Sequence, residues 1–473
     1  MSHPPHQTPP DQRVPLHKRI AYGFGALADN FIMNGFGTLV TPIYNIGLKL
    51  DPVLLGLAVA IPRVFDAISD PIMGNISDNT RSRWGRRRPY IVAGAVLSAI
   101  LLPLIWMPPV ISQNGMFLYL AMMGTIYFTT YTVFTIPYAA LGFELTGDYD
   151  ERTRLLAWPN YIGLIGSISM PWLYSIALLS FFGSEVVGAR WVSVILAVLI
   201  IICALIPAVL LREPARAQMQ EKVKLWDAIK ATLSNRPYFI VLSVNVIVLL
   251  GLATMFALGL YINIYHVFDG DKAAAAKMSG ISGSLTAALS YVSVFMATMI
   301  STRFGKRRAV EVGLVLSLIG SVSLWWTLTP AAPYLQLISA AFIGLGLQGC
   351  WMLFISMIGD VCEEDELRTG LRREGIYSAV GGFSRKLAVA AAAIGTGVVL
   401  KAAGFDAEIA ETTGAPQEVI DRIRIYFVVG QVVVLLLGLF LLQFYPITRE
   451  RAQETQRILR ARRGTGTDPA QSP

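Results

Sequence analysis

The segment Arg83-Trp84-Gly85-Arg86-Arg87-Arg88 returns about 220 residues later as Arg303-Phe304-Gly305-Lys306-Arg307-Arg308. A fainter echo links Asp150-Glu151-Arg152-Thr153 to Asp365-Glu366-Leu367-Arg368-Thr369. Self-similarity at so long a period predicts a chain made of two similar halves. A repeated basic turn has a physical reason, because Gly permits a sharp bend and the cations hold it at the surface. An anchor that only set topology would not need the same spacing twice.

Working outward from the two copies, the flanking text is apolar. The chain has 473 residues, 54% hydrophobic and only 15% charged, well below the charge content of soluble domains. Stretches of about 20 apolar residues, long enough to cross a hydrocarbon core as helices, recur twelve times. They are read at 20–47, 53–77, 90–109, 115–143, 155–182, 190–211, 238–266, 279–302, 309–329, 333–358, 376–401 and 424–445. The reading is an all-α membrane protein of twelve transmembrane helices in two six-helix bundles, 20–211 and 238–445. A tail at 1–19, a linker at 212–237 and a solvated tail at 446–473 complete it.

The net charge of +8 does not point to nucleic acid, because the cations are dealt out to alternate loops. About 29 of the 39 Lys and Arg fall in the termini and the even-numbered loops, so both ends are expected in the cytoplasm, across a plasma (bacterial inner) membrane. The polar, Pro-rich start lacks the layout of a cleavable signal. Cys203, Cys350 and Cys362 have no metal-like spacing and the four His are scattered, so neither a metal site nor a cofactor is expected. No His-Glu-x-x-His, Gly-x-Ser-x-Gly or Cys-x-x-Cys pattern supports an enzyme. Two parallel six-helix halves are instead the layout of carriers that rock about a mid-membrane site. One chain supplies both halves, so a monomer suffices.

Gly74 and Asp78 complete a Gly-x-x-x-Asp…Arg-x-Gly-Arg-Arg pattern that resembles the loop signature of the major facilitator superfamily. Arg63-Val-Phe-Asp-Ala-Ile-Ser-Asp-Pro-Ile-Met-Gly74, followed by Thr80-Arg-Ser-Arg-Trp-Gly-Arg-Arg-Arg-Pro-Tyr90, resembles the glycoside-pentoside-hexuronide:cation symporters. Thr369-Gly370-Leu371-Arg372-Arg373-Glu374-Gly375 looks like a second motif of that family. The resemblance covers about residues 18 to 445 and implies a major facilitator fold and cation-coupled symport of a sugar, glycoside or uronate. Sodium-coupled lysolipid transporters share the Asp-x-x-x-Asp-Pro text, which keeps a lysolipid or other amphiphile as the alternative substrate.

Ionisable residues interrupt few spans: Asp29, Arg63, Asp66, Asp70, Arg385 and Lys386. Each costs about 2.5–3.5 kcal/mol at a helix centre, so each is expected to face the bundle interior and find partners there. Asp66 and Asp70 share one helix face, with Arg63 one turn away. Two such anions stay ionised together only with a cation between them, and otherwise share a proton. The other reading is a closed network in which Arg63 and the two acids neutralise one another. The resemblance implies Asp66, Asp70 and Thr132 as cation ligands, with Ser69 where relatives carry Asn. The coupling ion is H⁺ or Na⁺, with a lean to H⁺ because Ser69 removes a carbonyl oxygen.

The resemblance also places Asp29, Thr135, Asn160 and Lys386, or its neighbour Arg385, at the substrate, and Tyr131 offers a ring and a hydroxyl beside them. Thr135, Ala139 and Asn160 stand where galactoside symporters carry Asp, Trp and Arg, which argues against a simple galactoside. Arg63, Asp78, Arg86, Arg87, Arg372, Arg373 and Glu374 are the candidate gating charges, the plainer reading of the loop residues being a solvated surface.

Overall fold

Capping chemistry and glycine turns divide the apolar text into helices. The computed structural model describes residues 13–109, 112–146, 148–211, 234–371, 373–412 and 414–464, so the linker expected at 212–237 lies almost wholly outside the described residues. The helices are α1 (Leu16–Thr41), α2 (Pro52–Asn79), α3 (Arg88–Ile105), α4 (Gln113–Glu144), α5 (Tyr149–Ser169), α6 (Leu173–Ala177) and α7 (Glu185–Leu210). Then follow α8 (Arg236–Ile262), α9 (Lys272–Phe304), α10 (Lys306–Thr327), α11 (Gln336–Thr369), α12 (Glu374–Ala403), α13 (Ala407–Thr412), α14 (Gln417–Leu442) and α15 (Arg449–Gly464). Side-chain oxygens of Asp51, Ser112, Ser184 and Asn235 accept from the first N–H groups of α2, α4, α7 and α8. The two basic turns bend at Gly85 and Gly305, whose φ angles of 103° and 89° lie where a side chain would be strained.

Among the described residues ten helices are long and apolar enough to cross a membrane. The first and fifth expected spans are helical too, as α1 and as α5 with α6, but carry too much polar text to meet that measure. The chain is therefore a multi-pass membrane protein whose described residues fold as helices.

The same helix pairings occur twice. In the first half α3 packs on α4 and α7, and α1 on α7; in the second half α10 packs on α11 and α14, and α8 on α14. Third with fourth, third with sixth and first with sixth is the physical content of the repeated text. Compactness nevertheless groups the chain into units that differ from the halves. One unit takes its described residues from Met1–Met219, Gly270–Ser284 and Ala393–Pro416, and the other from Gln220–Asp269, Leu285–Ala392 and Gln417–Pro473. Glycines explain the regrouping. A Cβ at Gly56 would sit 2.5 Å from the Ala393 carbonyl oxygen, and one at Gly397 would collide with Pro52, so α2 and the end of α12 meet backbone to backbone. Gly280 and Gly283, near the start of α9, lie likewise against Trp172 and Pro171, and the Trp172 indole donates to Ser284 at 2.8 Å.

At this end of the first unit four charges form a chain. Lys272 meets Glu185 at 2.9 Å and Glu411 at 3.9 Å, and Lys49 meets Glu411 at 2.9 Å. Lys401 and Asp51 pair beside them at 3.6 Å.

Residues 446–473, expected as a solvated tail, require a correction, because they contain α15, which packs on α11. Thr455 and Leu459 are buried, Arg451 pairs with Glu364, and Gln456 donates to Glu363 at 2.9 Å. An amphipathic spacing of two buried positions one turn apart was present in that polar text, but its high charge hid it.

Candidate functional site

Close approach of α2 and α4 builds the site. Pro62 and Pro71 stand inside α2 on either side of the acids, each removing one rung of the helical hydrogen-bond ladder. Opposite them, a Cβ on Gly124 would lie 2.8 Å from the Pro62 ring, so the glycine lets α4 come close. Thr132, buried on α4, then reaches across to both acids.

Its hydroxyl lies 2.9 Å from Asp66 Oδ1 and 3.4 Å from Asp70 Oδ1. Ser69 Oγ is 3.0 Å from the same hydroxyl and 3.1 Å from the Asp66 carbonyl. Thr132 also lies 3.1 Å from the Phe128 carbonyl, one turn back on its own helix. Four side-chain oxygens from two helices thus meet around Thr132. Asp66 is 1% exposed, which makes its charge costly without a cation or a proton. Ser69, expected to remove an oxygen from the site, brings its hydroxyl into the cluster instead.

Arg63 is buried but is not closed into a network with these acids. Among the described residues its guanidinium forms no ion pair; its carbon lies 4.0 Å from the Phe128 ring centre and Nη1 points at Met33 Sδ, 3.0 Å away. Its Nε has no hydrogen-bond partner.

The substrate candidates are spread more widely. Thr135 donates to Asp29 Oδ1 at 2.7 Å, joining α4 to α1 in the same unit as the acids. Tyr131 is buried one turn from Thr135, edge-on to Phe128. Asn160 is exposed on α5, its amide 3.3 Å from the Leu156 carbonyl. Lys386 is half-buried on α12, within the second unit. The neighbouring Arg385 lies on the Gly381 side, where Tyr238 donates to the Tyr377 carbonyl at 2.8 Å.

The gating candidates divide similarly. Arg87 is bracketed by Asp78 at 2.7 Å and Glu144 at 3.0 Å, and Arg86 meets Glu144 at 2.7 Å. In the second copy Lys306 meets Asp360 at 2.7 Å, so each basic turn is tied to a carboxylate near the end of the fourth helix of its half. Arg373 lies 3.9 Å from the buried Asp365, which also holds Arg368 at 3.2 Å. Glu374 is exposed at the start of α12, and Arg372 lies outside the described residues. Asp365 and Glu151 are the buried members of the sequence echo; Glu151 holds the Val14 amide at 2.9 Å and Arg19 at 2.7 Å.

Sequence reasoning passed over Glu144, Phe128 and Met33. Glu144 could have been found as the acid that directly follows span 4. Phe128 carried a faint signal, one turn before Thr132, whereas Met33 carried none.

The chain is similar to known transport proteins along most of its length. A family model described as MFS/sugar transport protein matches residues 21–449. The isoprimeverose transporter of Lactiplantibacillus pentosus is 26% identical over 92% of this chain and 90% of its own. The uncharacterized symporter YnaJ of Bacillus subtilis is 27% identical over 95% and 96%. Among solved structures, an inward-facing bacterial homolog of the human lysosomal transporter Spinster matches with a TM-score of 0.68 at 13% identity, over 96% of this chain and 99% of that one. That likeness is one of fold.

Proposed function

The chain belongs to the MFS/sugar transport family, that of the glycoside-pentoside-hexuronide:cation symporters, and from that membership we propose a secondary active transporter that moves a sugar, glycoside or uronate together with H⁺ or Na⁺. One observation carries the coupling: Asp66, Asp70, Thr132 and Ser69 converge in the membrane with one buried acid among them. A cation arriving there cancels repulsion between the carboxylates, and its binding then favours whichever arrangement of the helices holds the oxygens together. That differential affinity is the source of coupling between ion and solute.

Four oxygens from two helices suit a hard cation that needs several ligands. The cluster therefore favours Na⁺ over the proton. Asp29, Thr135, Tyr131 and Asn160, with Lys386, are assigned to the solute, where hydroxyl and carboxylate groups of a sugar acid or glycoside find charged hydrogen-bond partners. The name of the isoprimeverose transporter supports a sugar rather than an amphiphile. Asp78, Arg86, Arg87, Arg373 and Glu374, together with Arg372, are assigned to the charges that make and break as access alternates. The protein is assigned to the plasma membrane with both termini cytoplasmic on the strength of its loop charges, and as a monomer because one chain supplies both halves.

The test is uptake into proteoliposomes of sugars, uronates and lysolipids under separate Na⁺ and H⁺ gradients. Accumulation of a sugar or uronate under one of the gradients is expected, and Asp70→Asn is expected to abolish accumulation while leaving the protein inserted. Transport indifferent to both gradients refutes symport, and selective accumulation of lysolipid replaces the sugar reading.

A further inference from the structure

Arg63 is a full charge within a membrane helix, three residues from a buried acid, yet it forms no ion pair among the described residues. The geometry of α2 explains why. Helical side chains lean toward the N-terminus, so an Arg that precedes an Asp by three positions points away from it unless it folds back. Here the guanidinium lies over Phe128 instead, with Met33 as a weak acceptor and Nε unsatisfied. A desolvated guanidinium over an aromatic face is attracted by the ring's negative face, which holds it there without closing it onto a carboxylate.

We propose that Arg63 is a built-in competitor for the coupling cation, held by Phe128 and Met33 while the ion occupies the site and folding back onto Asp66 when the ion leaves. The inference rests on the proposed cation site at Asp66 and Asp70. Phe128 links the two states through separate atoms, since its ring carries Arg63 and its carbonyl lies within hydrogen-bond reach of the Thr132 hydroxyl. An empty acidic site in hydrocarbon is costly, and a tethered cation within reach lowers that cost during the return of the unloaded carrier. Too strong a pairing with Asp66 would shut out the ion, so the aromatic holder sets the balance.

The test uses purified full-length protein, with thermal stability followed as NaCl replaces choline chloride and, in a parallel series, as pH is lowered. A ligand bound only by the folded state raises the melting temperature once its concentration exceeds its Kd and logarithmically beyond, so the concentration at which the rise sets in is read without knowing the solute. Phe128→Leu removes the ring but keeps the backbone carbonyl near Thr132. It is expected to raise that concentration roughly tenfold, the size of one such contact. Arg63→Met added to Phe128→Leu is expected to restore the original value. Met33→Leu provides the same arm with a smaller shift should Phe128→Leu fail to fold.

No change in Phe128→Leu or Met33→Leu, or an equal rise with and without Arg63, overturns the competitor. Asp66→Asn and Asp70→Asn separate the two levels of the argument. If the cation effect survives both, the proposed site itself is wrong. If both abolish it and the Arg63 cycle is merely additive, the site stands and Arg63 is only a structural cation.

Discussion

Thr132 has one hydroxyl proton and four oxygens within reach, at 2.9 Å, 3.0 Å, 3.1 Å and 3.4 Å. It therefore switches partners rather than saturating them, which suits a ligand that must release and recapture an ion. Thr132→Val keeps the branched shape and removes the oxygen, so Na⁺ affinity in the thermal-stability titration is expected to fall roughly tenfold, as for loss of one charged hydrogen bond. Ser69→Ala separates the two candidate ions. Loss of one oxygen weakens Na⁺ binding several-fold, whereas a proton needs only the carboxylates, and acid-driven uptake would be unchanged. The two acids and their face were readable from the four-residue spacing. That Ser69 joins the cluster was not, because only the approach of α4 brings the second hydroxyl beside it.

Elements are fastened at their ends by charges that periodicity does not reveal. Glu144 ends α4 and takes both Arg86 and Arg87 across the first basic turn, with Asp78 on the far side of Arg87. Arg87 is buried, so Glu144→Gln leaves a guanidinium with one carboxylate instead of two. A destabilisation of about 1–3 kcal/mol is expected, as for an unsatisfied buried donor. The measurement is chemical denaturation or the melting temperature of the purified variant. In the second copy the same part falls to Lys306 and Asp360, the latter 8% exposed. Twelve helices and their order were legible because a hydrocarbon core demands about 20 apolar residues per crossing. The short helix α13 and the docked α15 were not, since both are polar and owe their stability to what they pack against or cap.

At the scale of the whole molecule, the chain Glu185–Lys272–Glu411–Lys49 ties residues from both sequence halves into one compact unit. The Lys49 hydrogen bond holds the Glu411 carboxyl below its ordinary value, and the same bond raises the Lys49 ammonium. A lowered acid contributes above its ordinary pKa and fails only as pH falls through the lowered one; a raised base contributes below its ordinary pKa and fails only as pH rises through the raised one. The pair is thus expected to hold between about pH 5 and pH 10. Severing the chain with Glu185→Gln and Glu411→Gln is expected to increase labelling of a Thr135→Cys probe by an impermeant thiol reagent. The native Cys203, Cys350 and Cys362 are buried and give a low background. Unchanged labelling shows that the chain does not control access to Thr135. The sequence alone determined the crossings, the two-fold repeat and the acids that share a helix face, because these follow from apolar length and from periodicity along one strand of text. Only the tertiary structure decided that Arg63 rests on Phe128 away from the acids, that Ser69 joins Thr132, and that glycine seams draw the ends of α9 and α12 into the first unit. Those outcomes depend on how closely two backbones approach, which is set by pairs of residues far apart in the chain.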